Sequence, residues 1–85
     1  MKEFTYTITD PLGVHARPAG ILVKEAAKFT SNITIEKDGK SADAKRIFGL
    51  MGLGVKQGHT ITVKAEGADE DAAIAAMEDL IKENL

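Results

Sequence analysis

The apolar residues of this chain change their period along its length, and that switch restricts what the chain can build. Phe4, Tyr6 and Ile8 alternate with Thr5, Thr7 and Thr9, the period of two that a half-buried strand needs. Asp10-Pro11-Leu12-Gly13 then ends the alternation with turn residues. From Ala16 to about Phe29 the period becomes helical, with Ala19, Leu22, Val23 and Ala26 on one stripe. Pro18 fits such a helix only in its first turn, where backbone donors have no intrahelical partner. The helix must therefore start at about His15 or Ala16.

The pattern then returns to strands. Asn32 to Lys37, with Ile33 and Ile35 inward, is followed by Asp38-Gly39, a strong two-residue hairpin signal, so Lys40 to Ala44 should return as a short third strand. Ala44 to Leu53 reads as a short helix ended by Gly54 in a left-handed cap. Its interior glycines, Gly49 and Gly52, each cost about 1 kcal/mol relative to alanine. Thr60 to Lys64 alternates again, with Ile61 and Val63 inward. Asp69 is placed to cap a last helix, with Glu70 and Asp71 in its first turn and Lys82 near its end. Ala73, Ile74, Met77, Leu80 and Ile81 form its apolar stripe. The order β-α-β-β-α-β-α implies an α+β two-layer sandwich with helices on one face of a sheet. Of the strand order, only the hairpin between the second and third strands follows.

Composition narrows the function. The 85 residues leave room for one domain, 1–85, and 44% apolar content supports one modest core. A deep substrate cavity is not expected, which favours a protein that works at its surface. The chain has no cysteine, which excludes disulfides, thiolate metal sites and thiol redox chemistry, and no cofactor is expected. A net charge of −2 and the lack of tryptophan argue against nucleic acid as a partner. The start, MKEFTYTITD, has no apolar targeting core, and no stretch reaches the length of a membrane span. No membrane insertion and a cytoplasmic location are the resulting expectations.

The chemistry concentrates in Gly13-Val14-His15-Ala16-Arg17-Pro18-Ala19. At a helix start, free backbone amides and the positive dipole end disfavour imidazolium and favour an anion. A neutral imidazole can attack phosphorus, and the anionic product then meets the same amides at Ala16 and beyond. Arg17 stands two residues on and offers planar, paired donors to phosphate oxygens. Pro18 fixes the first turn and removes a competing donor, while Gly13 frees the preceding turn. A lone histidine near a helix start is commonly just a solvated cap; Arg17 and Pro18 at this spacing raise it above that. No carboxylate stands nearby to orient His15, so a hydrolytic triad has no support.

Around that site, Arg17, Gly20, Ile21, Lys24 and Lys28 fall opposite the core stripe of their helix. An exposed isoleucine within a basic rim resembles a docking patch for an acidic partner, and equally suits a solvated lysine face. In the short helix, Ile47, Phe48, Leu50, Met51 and Leu53 point all round the axis. If Leu50 and Leu53 face the sheet, Ile47, Phe48 and Met51 turn outward as an adaptable partner surface; core packing is the competing arrangement. His59 follows Gln57-Gly58 with no second histidine nearby and reads as a solvent-facing loop residue.

Nearly end to end, the chain resembles the HPr family, the histidine-containing phosphocarriers of the bacterial sugar phosphotransferase system. The stretch from Gly13 to Ala19 carries the resemblance, with Gly39-Lys40-Ser41-Ala42, Leu53-Gly54-Val55 with Gly58, and Glu66-Gly67-Ala68-Asp69-Glu70. The resemblance implies an open-faced β-sandwich, a four-stranded antiparallel sheet covered on one face by three helices. It implies that His15 is phosphorylated through Nδ1 and that Arg17 binds the phosphoryl oxygens. Phosphate would arrive from phosphoenolpyruvate through enzyme I and leave to the IIA components of sugar permeases, the chain itself being a carrier without independent turnover, expected as a monomer. Arg17, Gly20, Lys24, Ile47, Phe48 and Met51 fall where that family's partner surface lies.

One position departs from the family. Many Gram-positive members carry a regulatory serine at the start of the short helix, and here that position is Arg46. Arginine cannot accept that modification, and Ser41, placed in the third strand, is a poor substitute. Two other functions share this architecture. An acylphosphatase-like hydrolase would need an aligned water-orienting amide, for which Asn32 and Asn84 are poorly placed. A regulatory module related to HPr would typically lack the histidine that stands at residue 15.

Overall fold

Seven elements follow the order that the periods imply: β1 (Lys2–Thr7), α1 (Ala16–Ala26), β2 (Asn32–Lys37), β3 (Lys40–Asp43), α2 (Ile47–Gly52), β4 (Thr60–Glu66) and α3 (Glu70–Asn84). The computed structural model describes residues 1–11 and 16–85. The strands form one four-stranded sheet in the order β1-β4-β2-β3. Every neighbouring pair is antiparallel, with Phe4 opposite Val63, Ile35 opposite Val63 on the other side, and Ile35 opposite Ala42. The fold is therefore the open-faced sandwich, with α1, α2 and α3 packed on the face that carries the apolar residues.

Alternation decides which face is covered. Ile33 and Ile35 of β2 and Ile61, Val63 and Ala65 of β4 are buried, while their neighbours Thr34, Glu36, Thr62 and Lys64 lie on the uncovered face. Leu22 and Ala19 of α1, Leu50 of α2, and Ala73, Met77 and Ile81 of α3 complete the core. Burying each large aliphatic side chain stabilises the fold by about 1.5–3 kcal/mol. Val23, Ile74 and Leu80, expected in the helical stripes, are only half-buried and pack around the edge of that core.

Local chemistry sets the ends of the elements. Asp38 and Gly39 have φ of 51° and 80°, the two-residue turn whose twist matches a hairpin. Gly54 has φ of 65°, and its amide reaches Met51 O at 3.2 Å, so the expected left-handed cap closes α2. α1 stops at Ala26 rather than Phe29, because Lys28 and Phe29 donate to Glu25 O and Ala26 O, tightening the last turn. α2 starts at Ile47 rather than Ala44. The Ala44 amide still bonds Ile33 O, and Asp43 Oδ1 accepts the Lys45 amide at 2.8 Å, a local turn that competes with helix. β4 runs on to Glu66, where register with Asn32 extends the ladder beyond Lys64. Two lysines close open helix ends: Lys45 Nζ reaches Phe29 O at 2.8 Å, and Lys37 Nζ reaches Leu53 O and Gly54 O at 3.2 and 3.3 Å. No helix among the described residues is long and apolar enough to cross a membrane.

Candidate functional site

Helix α1 begins at Ala16, so Pro18 lies in its first turn, as its missing amide requires. The Pro18 ring is buried and ties that turn to the fold, while Arg17 beside it is exposed. His15, directly before the helix in sequence, lies outside the described residues, as do Leu12, Gly13 and Val14. Arg17 and Lys24 make no ion pair among the described residues, so both cations remain available to an anion or an acidic surface. Lys28, also exposed, pairs with Glu25 at 3.1 Å across the surface, a contact worth little. Ile21 is half-buried rather than fully exposed, because α1 presents a stripe wider than its four core positions.

Helix α2 stands against this end of α1. A Cβ built on Gly20 would lie 3.9 Å from Ile47 Cδ1, an ordinary van der Waals contact, so the two helices meet at this point. Ile47 is consequently half-buried rather than turned fully outward. Leu50 is 1% exposed and Leu53 is buried, while Phe48 is 86% exposed and Met51 40%. A six-residue helix with this much apolar surface cannot bury all of it, and Phe48 is what it leaves in solvent. Gly20 and Ile47 thus meet where α1 and α2 pack, while Phe48 and Met51 lie exposed on α2.

Other positions singled out by sequence resolve differently. Asp69 does not cap α3 with its side chain. Its carboxylate accepts the Thr30 and Ser31 amides at 2.9 Å each, and also the Ser31 hydroxyl. Those hydrogen bonds, led by the Ser31 hydroxyl, hold its pKa down to about 2. Glu70 takes over at the helix entrance, accepting the Gly67 amide at 3.2 Å and pairing with the Met1 amine at 3.0 Å. The amine contact, followed by the Gly67 amide, lowers its pKa. His59 is a loop residue of intermediate exposure, and its Nδ1 accepts the Lys56 amide at 3.1 Å at the surface. Ser41 is exposed on β3, and Arg46 heads α2 in an extended conformation with no side-chain cap. No group of three or more potential ligands that could hold a metal occurs among the described residues.

Sequence reasoning did not single out Thr9. Its hydroxyl and amide both reach Leu85 O, at 2.8 and 2.7 Å, and its carbonyl accepts from Gln57 Nε2 at 3.1 Å. Contacts spanning 76 and 48 residues leave no periodic or local signal.

Known proteins match this arrangement over almost the whole chain. The family model for the PTS HPr component phosphorylation site matches residues 2–83. The phosphocarrier protein HPr of Mycoplasma genitalium is 45% identical over 85 residues, covering 99% of this chain and 97% of the relative. A solved histidine-containing phosphocarrier protein from mycoplasma superposes with a TM-score of 0.94 at 44% identity, covering 96% of this chain and 93% of its own. HPr from Thermoanaerobacter tengcongensis does so with a TM-score of 0.93 at 51% identity, covering 98% and 93%. The agreement in sequence and in fold places this chain in the HPr family, the phosphocarriers of the phosphotransferase system.

Proposed function

We propose that His15 accepts a phosphoryl group from phospho-enzyme I through Nδ1 and passes it to the IIA components of sugar permeases. The carrying observation is the start of α1 at Ala16, directly after His15, with exposed Arg17 and buried Pro18 in the first turn. In the first transfer the imidazole lone pair forms a P–N bond while the donor's bond to phosphorus breaks and the donor keeps that electron pair. In the second the acceptor's lone pair attacks phosphorus, and the P–N bond breaks with its electron pair returning to the imidazole. Arg17 donates to the phosphoryl oxygens, and the free amides of the first turn favour the added negative charge. Arg17, Gly20, Lys24, Ile47, Phe48 and Met51 form the docking surface, apolar at the centre and cationic at the rim. The chain, a single domain over 1–85, acts in the cytoplasm as a monomeric carrier without turnover of its own.

The test supplies phosphoenolpyruvate, magnesium and enzyme I and follows an acid-labile, base-stable phosphoryl group. Labelling of the wild-type chain and none of His15→Ala, with both folded, is the expected result. Labelling retained in His15→Ala would end the reading. Multiple turnover of acetyl phosphate without a partner protein would favour a hydrolase instead.

A further inference from the structure

Between the last residue of β1 and the first of α1 the chain is held at Thr9, by every polar group that residue has. The Thr9 hydroxyl donates to Leu85 O at 2.8 Å and the Thr9 amide to the same oxygen at 2.7 Å. The next amide, of Asp10, also reaches Leu85 O at 2.8 Å. Gln57 Nε2 donates to the Thr9 carbonyl at 3.1 Å. Leu85 is 3% exposed, and its amide bonds Ile81 O at 2.8 Å, which fixes the acceptor to α3. Gln57 precedes Gly58, whose amide bonds Ile8 O at 2.9 Å, while the Ile8 amide bonds His59 O at 2.9 Å.

We infer that Thr9 is a positioning residue for phosphoryl transfer: clasped by Leu85 and Gln57, it sets where the chain leaves the sheet on its way to His15. This rests on the proposed role of His15. The physical reason is economy of freedom. Ala16 is set by the packing of α1, and Thr9 is set by the clasp, so the residues between them connect two fixed points. A short connection has few ways to do so, whereas release of one end multiplies them. Transfer depends steeply on the placement of the attacking nitrogen, and a displacement of about 1 Å can cost up to about a hundredfold. Thr9 bonds to Leu85 and Gln57, neither of them in the proposed docking surface, so its effect is expected on transfer rather than docking.

The experiment compares Thr9→Ala, Thr9→Ser and Thr5→Ala in the full chain, at a temperature where urea titration shows each to be folded. Thr5 lies exposed on β1, upstream of Thr9, and controls for loss of a threonine. Two readouts are taken: NMR titration of the His15 imidazole without any partner, and steady-state transfer from enzyme I. In Thr9→Ala the His15 titration midpoint is expected to move and kcat to fall roughly tenfold, with KM for the carrier little changed. Thr9→Ser, which keeps the hydroxyl, restores both, and Thr5→Ala changes neither. A His15 titration and kcat unchanged in Thr9→Ala would overturn the inference, as would an equal loss in Thr9→Ser. If the wild-type chain is not labelled at His15, the carrier reading fails; the imidazole titration then decides the positioning of His15 by itself.

Discussion

The carboxylate of Asp69 holds Ser31 twice, accepting its amide at 2.9 Å and its hydroxyl, and so joins the start of α3 to the entrance of β2. The Thr30 amide adds a third bond at 2.9 Å. All three favour the ionised form and hold the pKa at about 2, below the ordinary value of about 3.9 that an unfolded chain retains. A carboxylate depressed on folding stabilises the native state above the unfolded value and loses that contribution as pH falls through the folded one. The wild-type chain is therefore expected to be more stable than Asp69→Asn at pH 5, and the difference to shrink between about pH 4 and pH 2. Urea midpoints of both chains across that range check this; a difference that persisted unchanged at pH 2 would contradict it.

Gly67 sits against the same clamp. A Cβ there would lie 2.7 Å from Ser31 Cα, a backbone atom that cannot swing aside. Gly67→Ala is expected to destabilise by about 1–3 kcal/mol, the cost of overpacking a tight contact. Gly52, helical in α2, has open space where a Cβ would go. Gly52→Ala is expected to stabilise by roughly 0.5–1 kcal/mol, through helix propensity and a less free unfolded chain. Gly67 also has φ of 154°, so opposite signs in denaturant titration would show that local space and backbone conformation, not residue type, decide.

Phe48 and Leu50, two residues apart on α2, separate docking from folding. Leu50 is 1% exposed, and truncation to alanine should cost about 2–5 kcal/mol of stability. Phe48 is 86% exposed, so Phe48→Ala should leave stability within about 0.5 kcal/mol. Its loss should nonetheless weaken binding to enzyme I by about 1–2 kcal/mol, measured by calorimetry. An unchanged affinity would remove Phe48 from the docking surface.

What the sequence discloses depends on how far each interaction reaches. The Asp38-Gly39 turn, the Pro18 constraint on the start of α1, and the overfilled apolar circumference of α2 are local, and all three were legible. The strand order β1-β4-β2-β3 was not, because pairing β1 with β4 brings together residues such as Phe4 and Val63 that share no local signal. Asp69 shows the same limit. Its place before an acidic first turn reads as a cap, yet its carboxylate crosses to residues 30 and 31. A short polar side chain at a helix entrance has two sets of amides to choose from, and only the tertiary fold decides. The proposed phosphorylation site could be put forward from the sequence because its ingredients, His15, Arg17 and Pro18, fall within four residues of one another.

Arg46 links the last local irregularity to function. It occupies the cap position of α2 with φ −123° and ψ 112°, the extended geometry of a capping residue, but makes no capping bond. Its guanidinium reaches Asp43 only at 4.0 Å across an exposed surface, a pair worth little. Arg46→Ser supplies the missing acceptor for the first amides and is expected to stabilise the fold by about 1 kcal/mol. Arginine at a helix start is thus a local cost, and its compensation is sought in docking, where a cation beside Phe48 and Met51 complements an acidic partner. The charge reversal Arg46→Glu is therefore expected to weaken binding to enzyme I and to flatten its salt dependence, without loss of stability, since an anion suits that helix end. Titration calorimetry at two ionic strengths measures both, and an affinity equal to that of the wild-type chain would remove Arg46 from the interface.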